Sequence, residues 1–179
     1  MEYKMVFSGF GGQGILAAGQ LVAIAGMEKG LDVSWLPSYG PEMRGGAANC
    51  SVIISDGPIG SPIVEQPDIL IAMNRPSLEK FEENVKPGGV IIFNCGLIKA
   101  PPTRKDVRVI KLDCNQIASA LSSPKAVNMP ILGVLMEVTG LFNSDDLKNA
   151  MVSRFESIKG QQLEINLKAV EAGRSNASM

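Results

Sequence analysis

The run Gly9-Phe10-Gly11-Gly12-Gln13-Gly14 has residue types and spacing that could do chemistry, and the chemistry is anion binding. Gly9, Gly11 and Gly14 match G-x-G-x-x-G. In that pattern the first glycine permits a tight turn, the second lets backbone approach a ligand, and the third lets helix and strand pack closely. Where such a run opens a helix, unsatisfied N–H groups and the positive end of the helix dipole point at one spot, which suits a phosphate. Gly12 and Gln13 lie inside the run and add their amides. A glycine-rich run can also be a turn and nothing more, so the spacing alone leaves both readings open.

The elements on either side must hold that run in place. Lys4 to Ser8 (KMVFS) reads as a buried strand, and Ile15 to Glu28, rich in Ala and Leu, reads as a helix stopped by Gly30. Leu31 to Leu36 is a second strand. A dinucleotide site wants an acidic residue at the end of that strand to hold a ribose hydroxyl, yet Asp32 stands at its start and Leu36-Pro37-Ser38 offers no carboxylate. This counts against an ordinary NAD(P)-dependent oxidoreductase. The ten residues 37–46 contain two prolines and three glycines with no helical period, so they read as a loop before a third strand, Ala47 to Ser55. A parallel crossover usually needs a helix, so strands two and three are expected to be antiparallel.

Further strands are expected at Ile69 to Met73, Val90 to Asn94 and Val107 to Leu112. Helices are expected from a Ser77 cap to about Val85, and over Asn115 to Leu121, Met129 to Gly140, Ser144 to Phe155 and Gln161 to about Ala172. The Met129 helix has few polar positions and must be buried on nearly every side. The fold class is therefore α/β: a single Rossmann-like three-layer domain over residues 1–172. Its sheet is mixed but mostly parallel and is flanked by helices, with further helices at the C-terminus and a frayed tail over residues 173–179.

Composition narrows the function classes. A chain of 179 residues that is 45% hydrophobic can bury one full core. A formal charge of −1 gives no nucleic-acid footprint, and the absence of histidine removes histidine catalysis and histidine metal ligation. Cys50, Cys95 and Cys114 stand far apart with no C-x-x-C, which argues against an iron–sulfur or zinc site within this chain and reads as core filling. The Ile15 to Gly26 run is too short to span a bilayer. No membrane association and a cytoplasmic location are expected.

Three runs taken together carry a family resemblance: Gly9 to Gly14, Ser38-Tyr39-Gly40-Pro41-Glu42-Met43-Arg44-Gly45-Gly46, and Asn128-Met129-Pro130 before an apolar helix. They resemble the gamma subunit of 2-oxoacid:ferredoxin oxidoreductases, the pyruvate/ketoisovalerate oxidoreductase gamma-type domain. The likeness covers about residues 4–170 and is greatest to the 2-oxoglutarate and branched-chain members. It implies one part of an enzyme that converts a 2-oxoacid and CoA to acyl-CoA and CO2. Thiamine diphosphate, its magnesium and the iron–sulfur clusters are then expected on the alpha, beta and, in some members, delta subunits, with ferredoxin taking electrons from the complex. A gamma-type chain is implied to complete the CoA side of the active centre and to be catalytically inert alone. Its apolar helices are also compatible with a homodimer.

Under that resemblance the glycine loop holds the CoA diphosphate. Arg44 is the natural second contact, because guanidinium presents a planar fork to phosphate oxygens, and Gly45 leaves room for a ligand. Glu42 could instead pair with Arg44 in a structural clasp. Ser38 could bond ligand or partner, or simply face solvent. Asn74 and Arg75 follow the fourth strand at its carboxyl end, where ligands gather in open α/β sheets, but Asn-Arg-Pro also serves as a turn. Asn128 is either a helix cap or a CoA contact. A scaffold that binds no ligand is the third function class, beside the CoA-site subunit and the nucleotide-dependent oxidoreductase. Turnover of a 2-oxoacid by the isolated chain, supplied with thiamine diphosphate and CoA, would contradict the subunit reading; none is expected.

Overall fold

The computed structural model describes residues 1–38, 47–155 and 160–176. Its central strand, β1 (Glu2–Phe10), alternates between two cores as period-2 geometry requires. Met5 and Phe7 enter a large core with helix α1 (Ile15–Glu28), whereas Val6 enters a smaller one on the other face. The pattern repeats across the sheet in β4 (Ile69–Ala72) and β5 (Val90–Asn94): Ile69, Ile71 and Ile92 join the large core, and Leu70, Ala72, Ile91 and Phe93 the small one. Each of the larger side chains contributes roughly 1.5–3 kcal/mol on burial.

Six strands lie in the order β2-β3-β1-β4-β5-β6, with β2 at Asp32–Ser38, β3 at Ala47–Ser55 and β6 at Arg108–Leu112. β1 pairs parallel with β4, β4 with β5, and β5 with β6, while β3 runs antiparallel to both β1 and β2. The sheet is thus mixed, as the missing crossover helix required. Strand β2 nevertheless continues through Pro37 to Ser38, where the sequence suggested a loop. Among the described strands β2 is outermost, and an edge strand is where proline is tolerated within a ladder.

Helix α2 (Arg75–Phe81) starts earlier than expected, because its cap is Asn74 and not Ser77. Asn74 Oδ1 accepts from the Ser77 amide at 2.9 Å, and the Ser77 hydroxyl accepts from Ser8 Oγ on β1 at 2.9 Å. A 310 turn, Glu82–Asn84, follows. The buried Glu82 carboxylate there accepts from the Thr103 amide, from Thr103 Oγ1 at 2.8 Å and from the Arg104 amide at 3.0 Å, fixing the connector into β6. Burial on its own would raise the Glu82 pKa, but the bonds from Arg104 and Thr103 and the charge of Arg75 together outweigh it and hold it below the usual carboxylate value.

The remaining helices are α3 (Cys114–Ala120), α4 (Met129–Thr139), α5 (Ser144–Arg154) and α6 (Gln161–Asn176). Every residue of α4 from Met129 to Met136 is buried, as its nearly all-apolar sequence demanded. Its main neighbour is α6. The two backbones touch: a Cβ on Gly133 would lie 2.0 Å from the Val170 carbonyl oxygen, and one on Gly173 would lie 2.0 Å from that of Pro130. Gly173 therefore belongs to a packed helix, and α6 runs past the Ala172 boundary set by the sequence to Asn176.

Two outcomes follow from this packing. An Ala gains about 1 kcal/mol over Gly in an ordinary helix, but Gly133→Ala must force α4 and α6 apart. Denaturant titration is expected to show a loss of about 1–3 kcal/mol, the cost of overpacking. For Glu82 the folded pKa lies below the unfolded one, so its stabilisation is present above the unfolded value and is lost as pH falls through the folded value. Wild-type stability should decline below about pH 4.3, and Glu82→Gln should flatten that decline in a stability-versus-pH series.

Candidate functional site

The glycine run links the end of β1 to the start of α1. Gly9 lies within the strand, paired opposite Ala48, and a Cβ there would sit 2.7 Å from Gln13 Oε1 and 2.9 Å from Met73 Cβ. It is the glycine of close packing. Gly12 and Gly14 have φ of +91° and +71°, the left-handed backbone that side chains resist, and Gly14 caps α1. The first and last glycines of the pattern have thus exchanged their expected roles. Only Gly11 keeps its own: no atom of a described residue beyond its chain neighbours lies within 4 Å of where its Cβ would stand, so among the described residues its backbone is open to an approaching ligand.

Two side chains brace this turn. Gln13 Oε1 accepts from the Phe10 amide at 2.6 Å and its Nε2 donates to the Met73 carbonyl at 3.4 Å, while the Gln13 amide closes onto the Phe10 carbonyl at 3.2 Å. Asn128 occupies the cap position of α4 without capping it; instead its Nδ2 donates 2.9 Å to the Gly14 carbonyl. The amides of Gly11, Gly12, Gly14, Ile15, Leu16 and Ala17 donate to no described residue. They are the unpaired N–H groups that a helix start leaves, here without a side-chain cap.

Cavities open on both sides of Gly12. One, of about 530 Å³, is bounded by Gly12, Gly14 and Ala17 together with Lys125, Asn128 and Asn166 from the other elements. The second, of about 330 Å³, runs from Gly12 and Gln13 to Asn115 and Ser119 on α3. The 310 turn Pro124–Ala126 stands between them, with Pro124 on one side and Lys125 on the other. Lys125 is exposed and makes no hydrogen bond or ion pair with a described residue. Sequence reasoning passed over it, since nothing in Ser-Ser-Pro-Lys signals that the fold returns this turn to Gly12. A further cavity, of about 410 Å³, lies at the opposite end of β1, and its two lysines, Lys4 and Lys86, are already paired with Glu2 and Asp68.

The other candidates lie apart from these cavities. Asn74 spends its oxygen on the α2 cap, and its Nδ2 is sealed without a partner. Arg75 bonds Glu79 at 2.6 Å and the Ala100 carbonyl at 3.4 Å. Ser38 is exposed at the end of β2 and lines neither cavity beside Gly12. Arg44 and Gly45 fall outside the described residues. Among the described residues no three His, Cys, Asp or Glu side chains stand together to hold a metal ion, and no helix is long and apolar enough to cross a membrane.

Comparison with known proteins now adds to this geometry. The family model for pyruvate ferredoxin/flavodoxin oxidoreductase matches residues 4–176. The chain belongs to this family. It is 33% identical over 176 residues to the 2-oxoglutarate synthase subunit KorC of Methanocaldococcus jannaschii, covering 97% of this chain and 92% of that one. It is 37% identical over 174 residues to the ketoisovalerate oxidoreductase subunit VorA of Methanothermobacter marburgensis, yet spans only 36% of that protein's length. Among solved structures it matches the keto/oxoacid ferredoxin oxidoreductase gamma subunit of Geobacter sulfurreducens with a TM-score of 0.82 at 30% identity, over 97% and 96% of the two chains. It also matches the 2-oxoglutarate:ferredoxin oxidoreductase of Magnetococcus marinus, solved with 2-oxoglutarate, coenzyme A and succinyl-CoA bound, with a TM-score of 0.88 at 25% identity. That match covers 97% of this chain and 30% of the other.

For this member of the pyruvate ferredoxin/flavodoxin oxidoreductase family, the cysteines act as core residues. Burial drives the Cys50 thiol up to about 12, against a smaller lowering influence from Trp35, and burial likewise raises that of Cys114. Thiolates are the reactive form, so both are inert in the fold. Native-state alkylation followed by mass spectrometry should modify the partly exposed Cys95 first, with Cys50 and Cys114 labelled only on unfolding.

Proposed function

We propose that this chain is a gamma-type subunit of a multisubunit 2-oxoacid:ferredoxin oxidoreductase and that it completes the CoA side of the active centre. One observation carries the reading: the amides of Gly11, Gly12 and Gly14 are unpaired among the described residues, and Gly12 lines two cavities, the larger of which also reaches Gly14. The diphosphate of CoA is held there by N–H donors and by the dipole of α1, which is worth about 0.3–1 kcal/mol in an exposed setting. Gln13 and Asn128 keep the donors in position before ligand arrives, so little ordering is needed on binding. Arg44 and Gly45 join this proposal through their sequence alone.

The chain's contribution is binding and orientation. By fixing CoA it raises the effective concentration of the thiol beside the acyl group formed elsewhere in the complex. Magnesium and iron–sulfur clusters belong to the partner subunits in this reading, because the donor set here does not fit them: the described residues offer no metal-ligand cluster, and Cys50 and Cys114 are sealed in the core; thiamine diphosphate is assigned to the partners with its magnesium. 2-Oxoglutarate is the favoured substrate, supported by the full-length match to KorC. A branched-chain 2-oxoacid is the second reading, supported by the higher identity to VorA.

Gly11→Val tests the loop directly. No described residue lies within 4 Å of where its Cβ would stand and its φ is outside the left-handed region, so stability should stay within about 0.5 kcal/mol of wild type. In the assembled complex the KM for CoA should rise at least about tenfold, with that for the 2-oxoacid unchanged. An unchanged KM for CoA would refute the proposal.

A further inference from the structure

Helices cover the sheet unevenly. On one face α1 packs on β1, β2 and β3, whereas on the other α2 packs on β1 and β4, and no helix among the described residues packs on β2 and β3 from that side. Paired residues of neighbouring strands share a face, so Leu36, Ser51 and Val6 form one row on the uncovered side and Ser38, Asn49 and Ser8 the next. Exposure grows along each row away from α2: Val6 and Ser8 are buried, Ser51 and Asn49 half-buried, Leu36 and Ser38 exposed. Phe10 shares this face at its glycine-loop end and is 41% exposed, and Leu36 is 45% exposed.

An antiparallel ribbon can leave one face to water, but a solvated face carries charged groups among its polar ones. β6, at the opposite edge of the sheet, has that character, with Arg108 and Lys111 exposed. β3 has no charged residue, and β2 has only Asp32, at the end remote from the glycine loop. The side chains of Asn49 and Ser51 bond no described residue and are not sealed from solvent. Depletion of charge together with an exposed aromatic marks the core of a protein interface.

Size decides what covers it. β2 has seven residues, and with β3 beside it the face measures about 24 Å by 10 Å, roughly a third of the about 800 Å² that each side of a stable complex buries. A second copy docked here alone would not hold. An element of a partner anchored elsewhere needs less area, because its anchor sets its effective concentration. The relatives have such an anchor in covalent form: this chain spans 36% of VorA and 30% of the Magnetococcus marinus chain, so most of each polypeptide is tethered to a part like this one. A helix is the element that an α/β layer calls for. Phe10 pairs with Ala47 and Leu36 with Ser51, so the two apolar groups stand two strands and four residue steps apart. That is about 17 Å, the rise of about eleven helical residues.

We infer that a helix of the partner subunit corresponding to the remainder of those longer chains completes the missing layer over β2 and β3. Its apolar side chains rest on Phe10 and Leu36, and its polar ones bond Asn49 and Ser51. This rests on the multisubunit reading and names the surface that the reading needs. Phe10 belongs to the glycine run, so the same contact brings the partner's body beside the loop, where a thiol held by this chain can meet an acyl group carried by another.

Hydroxyl-radical footprinting read by mass spectrometry, on the isolated chain and on the assembled complex without CoA, tests the contact. Phe10 and Leu36 should be labelled in the isolated chain and lose most of that labelling in the complex. Leu36→Lys and Ser51→Lys should each weaken association with the complex lacking this chain by about tenfold or more, the effect of losing an interface anchor or burying a charge there. The thermal midpoint of the isolated chain should stay unchanged in both, and Lys111→Ser on β6 should alter neither property. Equal labelling of Phe10 and Leu36 in chain and complex overturns the inference, and this readout uses wild type, so it decides the matter even where a variant misfolds. Association of both folded variants at wild-type strength overturns it too. Protection of the two residues in the isolated chain that disappears on dilution assigns the face to a second copy and likewise overturns it. A complex that protects both residues yet binds no CoA in a separate titration supports the inference while refuting the CoA-site reading, and a chain that joins no such complex overturns both.

Discussion

A set of backbone N–H groups with no acceptor among the described residues stands at the start of α1, and the surrounding structure is arranged around keeping it so. Most helices satisfy part of this need with a Ser, Thr, Asp or Asn cap, worth about 1 kcal/mol. Here the cap position is Gly14, which has nothing to offer its own helix. Water can serve such donors where they face an opening. A fixed negative charge serves them better, because it also meets the helix dipole.

The loop is held from below, from the side and from behind. From below, β1 pairs with β3 on one flank and β4 on the other, so the strand feeding the loop is locked into a sheet with cores on both faces. From the side, Gln13 ties Phe10 to Met73, joining the ends of β1 and β4. From behind, Asn128 bonds the Gly14 carbonyl across the chain. That bond depends on α4, which in turn is seated by the close approach of Gly133 and Gly173 between α4 and α6. Packing far from the glycine run thereby sets the position of its amides, which is what a preformed binding site requires.

Much of this was legible in the sequence because the signals are local. The bounds of α1, β3 and β5 follow from apolar runs bracketed by glycine and turn residues, and the antiparallel β3 follows from a connector lacking a helix. Where the sequence misled, the deciding fact was non-local. Pro37 sits in a strand because that strand is at the sheet's edge, and edge position is a property of strand order. Asn74 and Ser77 are both capping types, and Ser77 is taken by Ser8 from another element. Gly173 looked like the start of a tail until Pro130 was found against it. The same reason hid Lys125: its proximity to Gly12 is created by the fold, whereas the glycine loop announces itself by spacing.

The most direct measurement of the central claim is hydrogen–deuterium exchange of the assembled complex with and without CoA, read on peptides covering residues 9–18. Within that stretch the amides of Gly11, Gly12, Gly14, Ile15, Leu16 and Ala17 donate to no described residue, so saturating CoA should slow their exchange strongly, while peptides from the distant β1 start and Lys86 region keep their rates. If CoA binds the complex and exchange across residues 9–18 does not change, the amides do not grip it, and the account is wrong.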